Sequence, residues 1–109
     1  MKVVWTDTAQ EHLDTIYRYI ARDSVFYARR MVDRLTRRSI QIADFPFSGR
    51  EVPEYRLKQI REIFEGNYRV IYYIKSGGID VLAVLHGAQD SLNQATIAEE
   101  ENPEKDDNN

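Results

Sequence analysis

The sequence predicts an α+β fold, a helical hairpin packed on a small antiparallel sheet in the order β-α-α-β-β-β. Three observations carry this. Residues 60–86, IREIFEGNYRVIYYIKSGGIDVLAVLH, form three β-branched and aromatic runs. Two glycine-bearing turns, Gly66-Asn67 and Gly77-Gly78, part them, as in an antiparallel meander. Residues 9–42 repeat apolar positions at helical spacing on either side of a break at Asp23-Ser24. The chain has 109 residues, 42% hydrophobic and 30% charged, enough for one core but not two.

Each element has its own signal. Lys2 to Trp5 (KVVW) is a short apolar run, read as the first strand. Thr6-Asp7-Thr8 offers several N-cap residues, and Thr8 with Glu11 has capping-box spacing. Ala9, Leu13, Ile16, Tyr17 and Ile20 then follow one helix face to about Arg22. Ser24 can cap a second helix, in which Ala28, Met31, Val32, Leu35, Ser39 and Ile42 trace the apolar stripe. So short a link predicts an antiparallel hairpin of helices. Pro46 pushes Phe45 out of the helical region and ends the second helix. Residues 48–56 are loop material leading into the meander. The expected helix-covered face of the sheet holds Ile63, Val70, Tyr72, Ile74, Val81, Ala83 and Leu85. The other holds Ile60, Glu62, Phe64, Arg69, Ile71, Tyr73, Leu82, Val84 and His86.

Residues 1–98 are expected to form the single domain and 99–109 an acidic, disordered tail. The whole-chain charge of −3 hides this division. From Glu99 onward six acids face one base, so the tail carries −5 and residues 1–98, with 14 bases and 12 acids, carry +2. A mildly basic body whose bases are nearly all arginine suits bidentate contacts to carboxylate or phosphate. No apolar run reaches about 18 residues, so no membrane partner is expected. With no secretory signal pattern, the cytoplasm is the expected location. The absence of cysteine excludes disulfides and thiolate metal sites. His12 and His86 lack companions at ligand spacing, and no phosphate loop or nucleophile motif is present, so no metal and no cofactor are expected.

If both hairpins turn on two residues, Arg69 stands directly opposite His86 on one sheet face. Arg50, Glu54 and Arg61 are near in sequence. Histidine can act as general acid, glutamate as base, and arginine can stabilise a pentavalent phosphorane. Glu54, Arg61, Arg69 and His86 are therefore candidates for a metal-free ribonuclease site. The competing reading makes Arg69 and His86 a cross-strand pair that orders the sheet end. The arginines of the second helix, Arg29, Arg30, Arg34, Arg37 and Arg38, likewise have two readings, with Arg50 beside them. They form either a solvated face or a docking surface for an anionic partner.

The chain resembles a known family on an ordered set of residues. These are Trp5, Leu13-x-x-Ile16-x-x-Tyr19-Ile20-Ala21, Phe45-Pro46-x-x-Gly49-Arg50-x-Val52-Pro53-Glu54, Ile60-Arg61-Glu62, Gly66-x-Tyr68-Arg69-Val70-x-Tyr72 and Val84-Leu85-His86. The set is similar to that of the RelE/ParE superfamily, the toxins of bacterial type II toxin–antitoxin modules used in plasmid stabilisation. The resemblance implies an antiparallel sheet with a helical hairpin, a small antitoxin that wraps the toxin, and contact with DNA only through the complex with that antitoxin. It also implies one of two targets: RelE-like members cleave mRNA on the ribosome, and ParE-like members poison DNA gyrase. Glu54, Arg69 and His86 match the Glu, Arg and His of one nuclease branch. His86-Gly87 departs from the His-Tyr ending of that branch, and Lys58 stands alone where another branch has a lysine-rich loop. Gln89-Asp90 replaces the Arg-Asp of the ParE pattern. The arginine-bearing hairpin, the mild charge of the body and the 49–54 loop lean toward the gyrase poison, with the hairpin and the segment after His86 as contact surfaces. A ribosome-dependent endonuclease is the alternative, and a non-toxic relative kept for regulation a third.

Overall fold

Thr6 sets the first corner of the molecule, and it does so twice. Its hydroxyl accepts from the amide of Ala9, capping the helix, and donates to the carbonyl of Val81, fastening the corner to the sheet. The cap is Thr6, not the Thr8–Glu11 box, because the first helical residue is already Asp7. The computed structural model describes residues 1–87. Strand β1 (Val3–Trp5) leads into helix α1 (Asp7–Ala21), helix α2 (Val25–Asp44) and a 3₁₀ turn (Pro46–Ser48). Four strands follow, β2 (Arg50–Glu51), β3 (Ile60–Glu65), β4 (Tyr68–Lys75) and β5 (Gly78–His86). Ser24 caps α2 through the amide of Tyr27, and Phe45 leaves the helical region ahead of Pro46 as the sequence predicts.

The strands lie in the order β1-β5-β4-β3-β2. The fold class is the expected α+β, with a sheet that is mixed instead of wholly antiparallel, since β1 runs parallel to β5. The short strand β2, in a stretch whose residue types predict loop, adds an edge to β3. Both helices cover one face. Leu35 and Ile42 of α2 and Ala9 and Ile16 of α1 pack there against Ile63, Val70, Tyr72, Ile74, Ile79, Val81 and Val84. Trp5 pins α2 from the side, its indole N–H donating to Ser39 Oγ at 2.8 Å. The opposite face buries Val52, Ile60, Ile71, Leu82, Ala83 and Leu85, with Tyr55 of the 52–59 loop packed against them. Among the described residues no helix is long and apolar enough to cross a membrane.

The first hairpin has the expected register, with Glu65 facing Tyr68 across Gly66-Asn67. The second does not. Its loop is Ser76-Gly77, with Gly77 at φ +89°, so Lys75 faces Gly78. A bulge beside Ile71 and Tyr72 then sets Leu82 and Ala83 together on the outer face. Two expectations fall with it. Val84 points to the helices, while Ala83 and Leu85 point away from them. Arg69 faces Leu85, and His86 faces Tyr68. The polar segment 88–97 and the acidic tail of 99–109 lie outside the described residues.

Candidate functional site

The period-2 pleat of β3 and β4 puts Glu62, Phe64, Arg69 and Ile71 on the face away from the helices. Glu62 is the centre of what gathers there. Its carboxylate is fully buried and receives two guanidiniums, Arg50 Nε at 2.6 Å on Oε2 and Arg69 Nε at 2.7 Å on Oε1. Arg69 turns its remaining nitrogens to Glu54, Nη2 to Oε1 at 3.2 Å and Nη1 to Oε2 at 3.4 Å. The loop offering Glu54 is held by a turn in which the amides of Tyr55 and Arg56 both donate to Val52 O, with Arg56 at φ +54°. Arg50 lies across the ring of Phe64, 5.4 Å from its centre. Arg50, Glu54, Phe64 and Arg69, with Pro53 and Gly87, line a cleft of about 380 Å³.

Two cations meet two carboxylates in this chain, so its charges cancel. Burial by itself would lower the pKa of Arg69. The hydrogen bonds to Glu62 and Glu54, and their charges, outweigh burial and raise it above the ordinary arginine value. A permanently charged guanidinium with both carboxylates in hand ties β2, β3, β4 and the 52–59 loop together. A phosphate approaching it from the cleft would compete with Glu54 for the guanidinium.

The other sequence-predicted residues are elsewhere. His86 is on the helix side of the sheet, edge-on to the Tyr68 ring at 5.6 Å. It opens there into a groove of about 570 Å³ with Thr15, Ile16, Tyr19, Asn67 and Tyr68. Arg61 also projects to the helix side, beside Tyr72, and holds loops. Its Nε donates to Lys58 O at 2.8 Å and Nη1 to Gly49 O at 2.9 Å, with the Phe47 ring 4.9 Å away. Of the expected acid, base and stabilising group, Glu54 and Arg69 are brought together and His86 and Arg61 are not.

The arginines of α2 divide likewise. Arg38 is a tie between α2 and β3, reaching Glu65 at 3.0 Å and Gln41 at 2.6 Å. Arg37 pairs with Asp33 at 3.1 Å on an exposed turn. Arg29, Arg30 and Arg34 are exposed, and Arg30 sits 5.7 Å over the ring of Phe26. Arg50, grouped with them from sequence, belongs to the Glu62 chain. Glu62 itself was not a sequence candidate. Its signal was an acid flanked by Ile60 and Phe64 on one strand face, diagonal to Arg69 across the first hairpin. Among the described residues no group of three or more His, Asp or Glu side chains could hold a metal ion.

Comparison with known proteins places this architecture. The family model described as the ParE toxin of type II toxin–antitoxin system, parDE, matches residues 3–91. The chain belongs to the ParE toxin family. A relative of this ParE family chain, "Putative toxin Y4kP" of Sinorhizobium fredii, is 33% identical over 89 residues, which are 81% of this chain and 90% of that protein. Solved structures share the ParE-like fold at lower identity. A chain of the chromosomal ParDE system from P. aeruginosa superposes with a TM-score of 0.66 at 19% identity, covering 79% of this chain and 95% of its own. The YoeB/ParE toxin from Agrobacterium tumefaciens gives 0.56 at 18%, covering 79% and 98%. The ParE family chain is thus a type II toxin–antitoxin toxin with the RelE/ParE superfamily architecture, and its family implies an antitoxin partner.

Proposed function

We infer that this toxin arrests growth by binding DNA gyrase, in the cytoplasm, and that a cognate antitoxin neutralises it. One observation carries the choice of target. Glu54 and Arg69 lie on one face of the sheet and His86 on the other, edge-on to Tyr68. Cleavage of mRNA through the 2′-hydroxyl would need base, acid and stabilising cation around one phosphodiester. Here the cation is held by two carboxylates and the acid is across the sheet. Membership of the ParE family supports the same choice.

The experiment compares two reactions. Purified toxin is expected to inhibit supercoiling by gyrase and to leave ribosome-bound mRNA intact. Cleaved mRNA with uninhibited gyrase would replace this reading with the nuclease.

A further inference from the structure

The turn between α1 and α2 carries an unusual concentration of exposed rings. Tyr19, Val25, Phe26 and Tyr27 are 66%, 49%, 62% and 63% exposed, all within nine residues around the tip of the hairpin. Apolar surface of this density on a soluble domain marks an interface. The guanidinium of Arg22 lies 5.9 Å over the ring of Tyr19, and that of Arg30 5.7 Å over Phe26. Phe26 and Tyr27 meet edge to face at 5.3 Å. Tyrosine and arginine are the side chains that dominate binding energy at protein interfaces, and stacking holds these ones in place before any partner arrives.

The charge of the tip specifies the partner. Residues 18–30 hold Arg18, Arg22, Arg29 and Arg30 against Asp23 alone, a charge of +3. The first turn of α2 contains no acid, so the positive end of a 20-residue helix adds to that field, with Asp23 just ahead of the Ser24 cap as the acid nearest to it in sequence. A single-stranded nucleic acid would answer the charge, but it needs open ring faces for its bases. Here a guanidinium already lies over one face of Tyr19 and of Phe26, and a base stacking on that face would have to displace it. An acidic protein surface can pair with those guanidiniums where they stand and pack aliphatic side chains against the rings.

We propose that the α1–α2 tip is the surface by which the toxin docks on its target protein, and that the docked surface is acidic with apolar side chains among its carboxylates. This rests on the reading of the chain as a toxin that acts by binding. The test uses two double variants of the full chain, R22E/R30E and F26S/Y27S. Both change exposed side chains, leave the Ser24 cap in place, and are checked for unchanged melting. Growth arrest on expression and inhibition of supercoiling are measured together with binding to a 20-nucleotide single-stranded DNA.

Both variants are expected to need at least ten-fold more toxin than the parent for half inhibition, and to relieve growth arrest. Variants as toxic and as inhibitory as the parent would overturn the tip as the docking surface. A parent that arrests growth without touching gyrase would remove gyrase as target, and relief of that arrest by the variants would still support the tip. Tight binding of the oligonucleotide by the parent, lost in the variants along with toxicity, would replace the protein partner with nucleic acid.

Discussion

Arg69 donates from Nε to Oε1 of Glu62 at 2.7 Å, and the carboxylate that receives it has no exposed surface. A buried pair of this kind contributes little over a well-packed apolar pair, but losing one member is costly. Glu62→Ala would take from the buried Arg69 its shortest ion pair and from Arg50 its tie to β3. The expected loss is about 3–5 kcal/mol, read from urea unfolding. The double change Glu62→Leu with Arg69→Met is expected to recover a large part of it. A Glu62→Ala protein as stable as the parent would refute the central position given to this carboxylate.

The sequence made the first hairpin readable and the second deceptive. Gly66-Asn67 admits one two-residue loop between Glu65 and Tyr68, and the strand pattern on either side agrees with it. Gly77-Gly78 offered adjacent glycines, and the chain turns on Ser76-Gly77, two places along in register. The bulge that places Leu82 and Ala83 on one face has no signature in a run as uniformly apolar as VLAVL. Together they carry His86 away from Arg69. Types of side chain were legible, while the face of each depended on one extra residue. Glu54 and Arg69 met because the first register was right and the loop closes locally.

His86 is exposed and its ring contact is with Tyr68 on the helix side of the sheet. Under the binding mechanism, His86→Ala leaves growth arrest and supercoiling inhibition as they are. The edge-to-face pair with Tyr68 that it removes is worth about 0.5–1.5 kcal/mol. Loss of toxicity by a hundred-fold in a protein that still melts normally would instead make His86 a chemical participant.

Tyr72 anchors the segment between α2 and the sheet. Its hydroxyl donates to Pro46 O at 2.6 Å and accepts from the amide of Gly49 at 3.2 Å, deep under the 3₁₀ turn. Burial raises its pKa, and hydrogen bonding by Gly49 and the charge of Arg61 oppose that without reversing it. Tyr72→Phe removes the hydroxyl and leaves Pro46 O and the amide of Gly49 without it, at an expected cost of about 1–3 kcal/mol. The amide of Gly49 should then exchange faster with solvent. Gly49→Ala probes the same seam from the other side. A methyl there would sit 2.6 Å from the Tyr72 oxygen and 2.7 Å from the backbone carbonyl of Glu62, so the strand must move. Its cost is expected at about 1–3 kcal/mol, as for other overpacked sites. An unchanged unfolding midpoint in either variant would show that the seam is not held here.

His12 joins α1 to β5 just beyond the bulge, accepting the amide proton of Val84 on Nδ1 at 3.0 Å. Accepting there requires the neutral ring. Burial lowers its pKa below the ordinary 6.5, and the nearby charge of Glu11 only partly offsets that. The unfolded chain therefore takes up a proton near pH 6.5 that the folded chain still refuses. Stability from this source is complete above that pH and declines as the pH falls through 6.5 toward the lower folded value. His12→Asn supplies an oxygen close to the position of Nδ1 and cannot titrate. Chemical unfolding between pH 5 and 8 is expected to show parent and variant parallel above pH 7, with the parent alone losing ground below it. Parallel curves throughout would mean that His12 is as easily protonated folded as unfolded.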